Sequence, residues 1–109
     1  MSRLAAGVWV GAYRARLMGQ GIPCMVVRRG DETAGAVLVK VATMDGAARV
    51  FQRSWDLATG ERAWLPLAEG AEAECDAAVA RQVRTDPDLW VLEVEDPRGR
   101  HMLGEEGLE

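Results

Sequence analysis

The sequence predicts an α+β fold in which two helices pack on a mostly antiparallel sheet of four to six strands, in the order helix, β-meander, helix, strand. Three observations lead there. Residues 4–19 and 71–84 repeat apolar side chains at helical spacing, the stretch between them alternates and is punctuated by tight-turn pairs, and the run after residue 88 alternates again. A chain of 109 residues is the size of one domain and can hide roughly 65% of its unfolded surface in a single core. One domain over residues 1–109 is therefore expected, with an acidic tail fraying from about residue 104.

The first helix is read from Ala6, Trp9, Val10, Tyr13 and Leu17, which share one stripe while Arg14 and Arg16 fall off it. Gly19-Gln20-Gly21 supplies a stop. A strand competes with this reading, because Leu4, Ala6, Val8 and Val10 also alternate. Residues 22–29 make a short strand that ends in the polar turn Gly30-Asp31-Glu32-Thr33, and residues 36–41 read as a buried strand. Asp45-Gly46 signals a hairpin through a type I′ turn, which requires positive φ at both central positions. Arg49, Phe51, Arg53 and Trp55 then alternate against Val50, Gln52 and Ser54, and Thr59-Gly60 returns the chain into Arg62-Ala63-Trp64-Leu65. Pro66 ends that run or places it on a sheet edge.

The second helix carries Cys75, Val79 and Val83 four apart with Ala78 beside them, acids in its first turns and Arg81 and Arg84 in its last, which suits the helix dipole. Thr85-Asp86-Pro87-Asp88 breaks it. Residues 89–95 follow as a strand with Trp90, Leu92 and Val94 on one face, Asp96-Pro97-Arg98-Gly99 turns, and residues 100–103 are expected to pair back as a short last strand.

Charge narrows the function. A net charge of −4 argues against a domain that holds nucleic acid through phosphate contacts, leaving Arg14, Arg16, Arg28 and Arg29 as the residues an accessory nucleic-acid role would have to use. The apolar stretch Leu4–Val10 is too short to span a bilayer and lacks a signal-peptide cleavage site, so a cytoplasmic protein without a membrane span is expected. Two cysteines, Cys24 and Cys75, are too few for a disulfide framework and are expected as thiols.

In the segment from Arg3-Leu4 to Trp9, in Arg28-Arg29-Gly30-Asp31 leading to Ala34-Gly35-Ala36-Val37, and in Asp86-Pro87-Asp88-Leu89-Trp90 with Glu93 and Gly99-Arg100-His101, the chain resembles a family of short bacterial proteins catalogued only as a domain of unknown function. The resemblance implies a compact bacterial domain and brings no activity, cofactor or substrate with it.

Binding candidates are Arg28, Arg29 and Asp31, where two guanidiniums beside a turn could grip a carboxylate or phosphate, together with Trp55 and His101. The competing reading of the Arg pair is a solvated hairpin end that satisfies itself on Asp31 and Glu32. The four tryptophans, Trp9, Trp55, Trp64 and Trp90, are expected mostly in the core, and one exposed beside Arg53 or Arg62 would resemble an interaction hot spot. Catalysis has two candidates, Cys24 with His101 as nucleophile and base, and the acids Asp86, Asp88, Glu93 and Glu95 as a cation site, whose competing reading is the outward face of an edge strand and the capping turn before it. Against the first, nothing in the spacing joins Cys24 to His101; against the second, the lysine such a site employs is replaced by Glu95. One histidine and two distant cysteines match no zinc pattern, and no glycine-rich phosphate loop is present, so no metal or cofactor is expected. The reading is a non-catalytic interaction or small-ligand module of a bacterial cytosol, with a homodimer, an unknown protein or a small anionic ligand as partner.

Overall fold

The computed structural model describes residues 4–55, 58–60 and 62–105. In chain order the elements are α1 (Ala6–Gly19), β1 (Cys24–Arg28), β2 (Val37–Ala42), β3 (Ala47–Trp55), β4 (Arg62–Ala71), α2 (Glu72–Thr85) and β5 (Trp90–Glu95). The competition over the first segment resolves as helix, because the stripe Ala6, Trp9, Val10, Tyr13 and Leu17 is buried while Val8, the strand-former between them, is exposed. A Schellman closure ends α1: Gly21 sits at φ 73°, its N–H reaches Met18 O at 3.0 Å, and Ile22 N–H reaches Leu17 O at 2.9 Å.

The five strands form one mixed sheet in the order β1-β5-β2-β3-β4. All neighbours are antiparallel except β5 and β2, which run parallel with Leu92 beside Val39 and Glu93 beside Lys40. Strand pleating sorts the side chains into two layers. Cys24, Val37, Val39, Val41, Phe51, Trp90, Leu92 and Val94 join the buried stripe of α1 in one cluster, and Leu38, Ala48, Val50 and Val91 join Cys75 of α2 in another. The sheet is thus covered by α1 on one face and by α2 on the other, with α2 lying over β2, β3 and β4. Both faces of β2 are consumed, which is why all six of its residues are buried.

Three expectations change and one alternative is settled. Residues 100–103 form no strand, since Gly99 N–H returns to Asp96 O at 2.8 Å and Asp96 takes Arg100 through its backbone N–H at 2.7 Å and its guanidinium at 3.0 and 3.1 Å, so the chain curls in place of pairing back. The 43–47 hairpin has Met44 and Gly46 at positive φ, not Asp45 and Gly46; Asp45 instead accepts from the Thr43 hydroxyl at 2.6 Å and from Ala47 N–H at 3.1 Å. Of the two readings of Pro66, the edge placement holds: β4 continues through it as an edge strand with a register shift opposite Val50 and Phe51. And β5, expected at an edge, lies between β1 and β2.

Candidate functional site

Arg28, Arg29 and Asp31 come together, but as a staple between two loops. Gly30 and Gly35 let the backbone approach the turn before β5: Asp31 N–H donates to Asp88 O at 3.0 Å, and a Cβ on Gly35 would lie 2.6 Å from that same oxygen. Trp90 donates its indole N–H to Asp31 O at 2.7 Å, while Arg28 donates to Pro87 O at 2.8 Å. The Asp31 carboxylate closes the turn by accepting from Thr33 and Ala34 N–H at 3.1 and 2.8 Å. Arg29 pairs with Glu32 and lies over the Trp90 ring at 5.7 Å. Asp31 and Arg29 are thus satisfied internally, while Arg28 contacts only a neutral carbonyl and its Nε is buried without a hydrogen-bond partner.

Trp55 ends β3, and its side chain lies outside the described residues. Trp64 is half-buried against Trp9, ring centroids 5.3 Å apart, with the Arg53 guanidinium over both rings at 4.8 and 5.0 Å. Trp9 also stacks on Tyr13 at 4.8 Å.

His101 belongs to the curled segment after β5. Its ring packs on Phe51 at 4.7 Å, its Nδ1 accepts from Leu103 N–H at 3.0 Å, and its carbonyl takes the Tyr13 hydroxyl at 2.7 Å. Accepting at Nδ1 puts the ring proton on Nε2. Burial, seconded by the nearby Arg49 and opposed by Glu105, holds the imidazole below the ordinary histidine range. A shallow cleft of about 420 Å³ lies beside it, lined by Gln20, Ile22, Arg100 and Leu103 among others. Among the described residues no hydrogen bond joins His101 to Cys24. The Cys24 thiol is buried, and burial pushes it up to about 11 although Arg14, whose Nε donates to Cys24 O at 3.0 Å, pulls the other way. Cys75, in the opposite cluster, donates to Ala48 O at 3.4 Å, and burial raises it as well. Burial thus disfavours the thiolate at both, and they lie in separate clusters on opposite faces of the sheet.

The acids divide. Asp86 closes the loop after α2 by accepting from Asp88 N–H at 3.0 Å. Glu93 points the other way, into a cluster that sequence reasoning missed: Lys40, 5% exposed on β2, donates to Glu72 at 2.7 Å and Asp76 at 2.6 Å and lies 3.3 Å from Glu93. Burial alone would lower the lysine's affinity for its proton, but the bonds to Asp76, Glu72 and Glu93 outweigh it and raise the pKa. The signal available in the sequence was a lysine inside an apolar strand facing the acidic first turns of a helix. Among the described residues no group of three or more His, Cys, Asp or Glu converges as a metal site; here an ammonium stands among the carboxylates.

The two sheet edges differ. β4 carries Pro66, a bulge and Glu69, features that blunt pairing with another chain. β1 has its own register shift, with Val27 as the extra residue between Val26 and Arg28, but it carries Met25, Val26 and Val27 exposed by 42, 37 and 61%, and among the described residues no strand pairs with its outer side.

A family model described as a protein of unknown function (DUF1491) matches residues 4–104. The chain is similar to a DUF1491 family protein of Caulobacter crescentus in both its crystal structure (40% identity, 94% of each chain, TM-score 0.83) and its NMR structure (41%, 96% of each, 0.84). It is also similar to the solution structure of protein Atu0922 from A. tumefaciens (28%, 86% of each, 0.73). No curated protein matches.

Proposed function

The chain belongs to the DUF1491 family, which assigns it no activity, and from that premise we propose that it is a non-catalytic interaction module whose binding surface is the open β1 edge. One observation carries the reading: the Cys24 and Cys75 thiols are buried and His101 is packed on Phe51, whereas Met25, Val26 and Val27 stand exposed on a strand that, among the described residues, has no neighbour on its outer side. Arg29 is paired with the Glu32 carboxylate, which weighs against a small anionic ligand at that guanidinium, whereas Arg28 is bonded only to the neutral Pro87 carbonyl and keeps its charge. Among the described residues no helix is long and apolar enough to cross a membrane.

A photocrosslinking residue placed at Val27, and as a control at exposed Ala73 on α2, tests the surface in cells. Val27 is expected to yield a discrete crosslinked species that Ala73 does not; equal, diffuse products at both positions would remove the claim. Self-association is the version of this interaction that needs no second protein, and light scattering across micromolar concentrations measures it.

A further inference from the structure

We infer that the β1 edge accepts an extended peptide whose apolar centre is flanked by carboxylates, added to the sheet as a sixth strand beside Cys24–Arg28. The inference rests on the interaction reading and names the chemistry of the partner.

The backbone defines what is on offer. Glu95 N–H donates to Pro23 O at 3.1 Å, and the register sets Met25 opposite Glu93 and Val26 opposite Leu92. In an antiparallel pair alternate residues exchange both bonds with the neighbour, so Pro23 and Met25 face β5 while Cys24 and Val26 turn their polar groups outward. Arg14 Nε already sits on Cys24 O, which supports this assignment. Val26, the last residue before the register shift at Val27, then presents its N–H to an incoming strand, with Met25 and Val26 on opposite sides of the pleat.

Charge selects the occupant. Arg14 stands at the Cys24 end of the strand and Arg28 at the other, about 13 Å away along four residues of strand rise. Both cations are held on backbone carbonyls, Arg14 on Cys24 and Arg28 on Pro87, and so keep their charge. A second copy paired antiparallel about Val26 would bring Arg14 of one molecule against Arg28 of the other, and a parallel pair would oppose Arg14 to its own counterpart. Like charges facing each other across strands are destabilising. A foreign strand with Glu or Asp at its ends meets both cations favourably, with its apolar centre over Val26.

The test uses the full chain with a Val-Thr strand peptide flanked by Glu and the same peptide flanked by Lys, followed by titration calorimetry and amide NMR. The Glu peptide is expected to bind about tenfold more tightly at low salt, to shift the amides of Cys24–Arg28, and to lose most of its preference at high salt. Val26→Pro, which removes the outward N–H, and Val27→Glu, which sets a like charge on an exposed side chain, should each abolish binding; the second serves if the first fails to fold. Equal or tighter binding of the Lys peptide at the β1 amides overturns the acidic partner and leaves the edge reading standing. So does binding by neither peptide if the chain self-associates with its β1 amides protected. Binding by neither, with a monomer and no Val27 crosslink, overturns both.

Discussion

Lys40 is the sole lysine of the chain and sits where a lysine is least expected, on a strand buried on both faces. Its carbon stem packs in the sheet while its ammonium reaches Glu72 and Asp76 on α2 and Glu93 on β5. Removing one member of a buried pair leaves the others uncompensated, a loss of about 3–5 kcal/mol when all are buried. Here the acids keep part of their hydration, so Lys40→Met should cost about 1–3 kcal/mol, read as a lower urea midpoint at unchanged slope. Adding Asp76→Asn should recover part of that loss by relieving the remaining acids; a strictly additive double variant would show that the cluster does not act as a unit.

At the scale of elements, two glycines make opposite demands. Gly30 lets the turn after β1 press against the loop before β5: a Cβ there would run into Asp88 O and lie 2.6 Å from Trp90 Cδ1 and 2.7 Å from the Leu89 carbonyl carbon. Backbone atoms cannot swing aside as a flexible side chain does. Gly30→Ala should therefore destabilise by about 1–3 kcal/mol. Gly11, on the exposed side of α1, has no atom within 4 Å of such a Cβ, and Gly11→Ala should raise stability by about 0.5–1 kcal/mol through helix propensity. Thermal melts of the two variants against the parent check both signs. If Gly30→Ala melts with the parent, the two loops are not held in the close contact described.

For the whole molecule the informative variable is pH. Burial holds His101 below its ordinary value, with Arg49 acting in the same direction and Glu105 in the other. The unfolded chain takes up that proton near pH 6.5, where the folded ring still refuses it. Stability consequently falls as pH drops from about 6.5 toward the lower folded value, and rises again with pH across that window. His101→Gln keeps an acceptor for Leu103 N–H but has nothing to titrate, so its stability should be flatter than the parent's between about pH 7.5 and 5. Parallel slopes for the two proteins would show that His101 is not buried against Phe51 and Arg49 in solution.

The sequence by itself determined the second helix, the buried strand β2, the existence of β5 and the turns around Gly30 and Gly99, because hydrophobic period and turn residues are local and survive without knowledge of neighbours; that the first segment is a helix and not a strand only the packing of its stripe decided. Pro-Leu-Ala-Glu-Gly-Ala gave no local sign that β4 runs on past Pro66; its ladder to β3 supplies what propensity lacks. Strand order lay equally out of reach. The insertion of β5 between β1 and β2 decides that Glu93 meets Lys40, that Cys24 and Cys75 occupy different clusters, and that β1 is left on the outside. Arg28, Arg29 and Asp31 were legible as a cluster, yet only the packing of their turn on Asp88 and Trp90 showed those groups bonded internally. Which polar group is spent and which remains available depends on contacts between residues far apart in the chain, and these arise only when the sheet assembles.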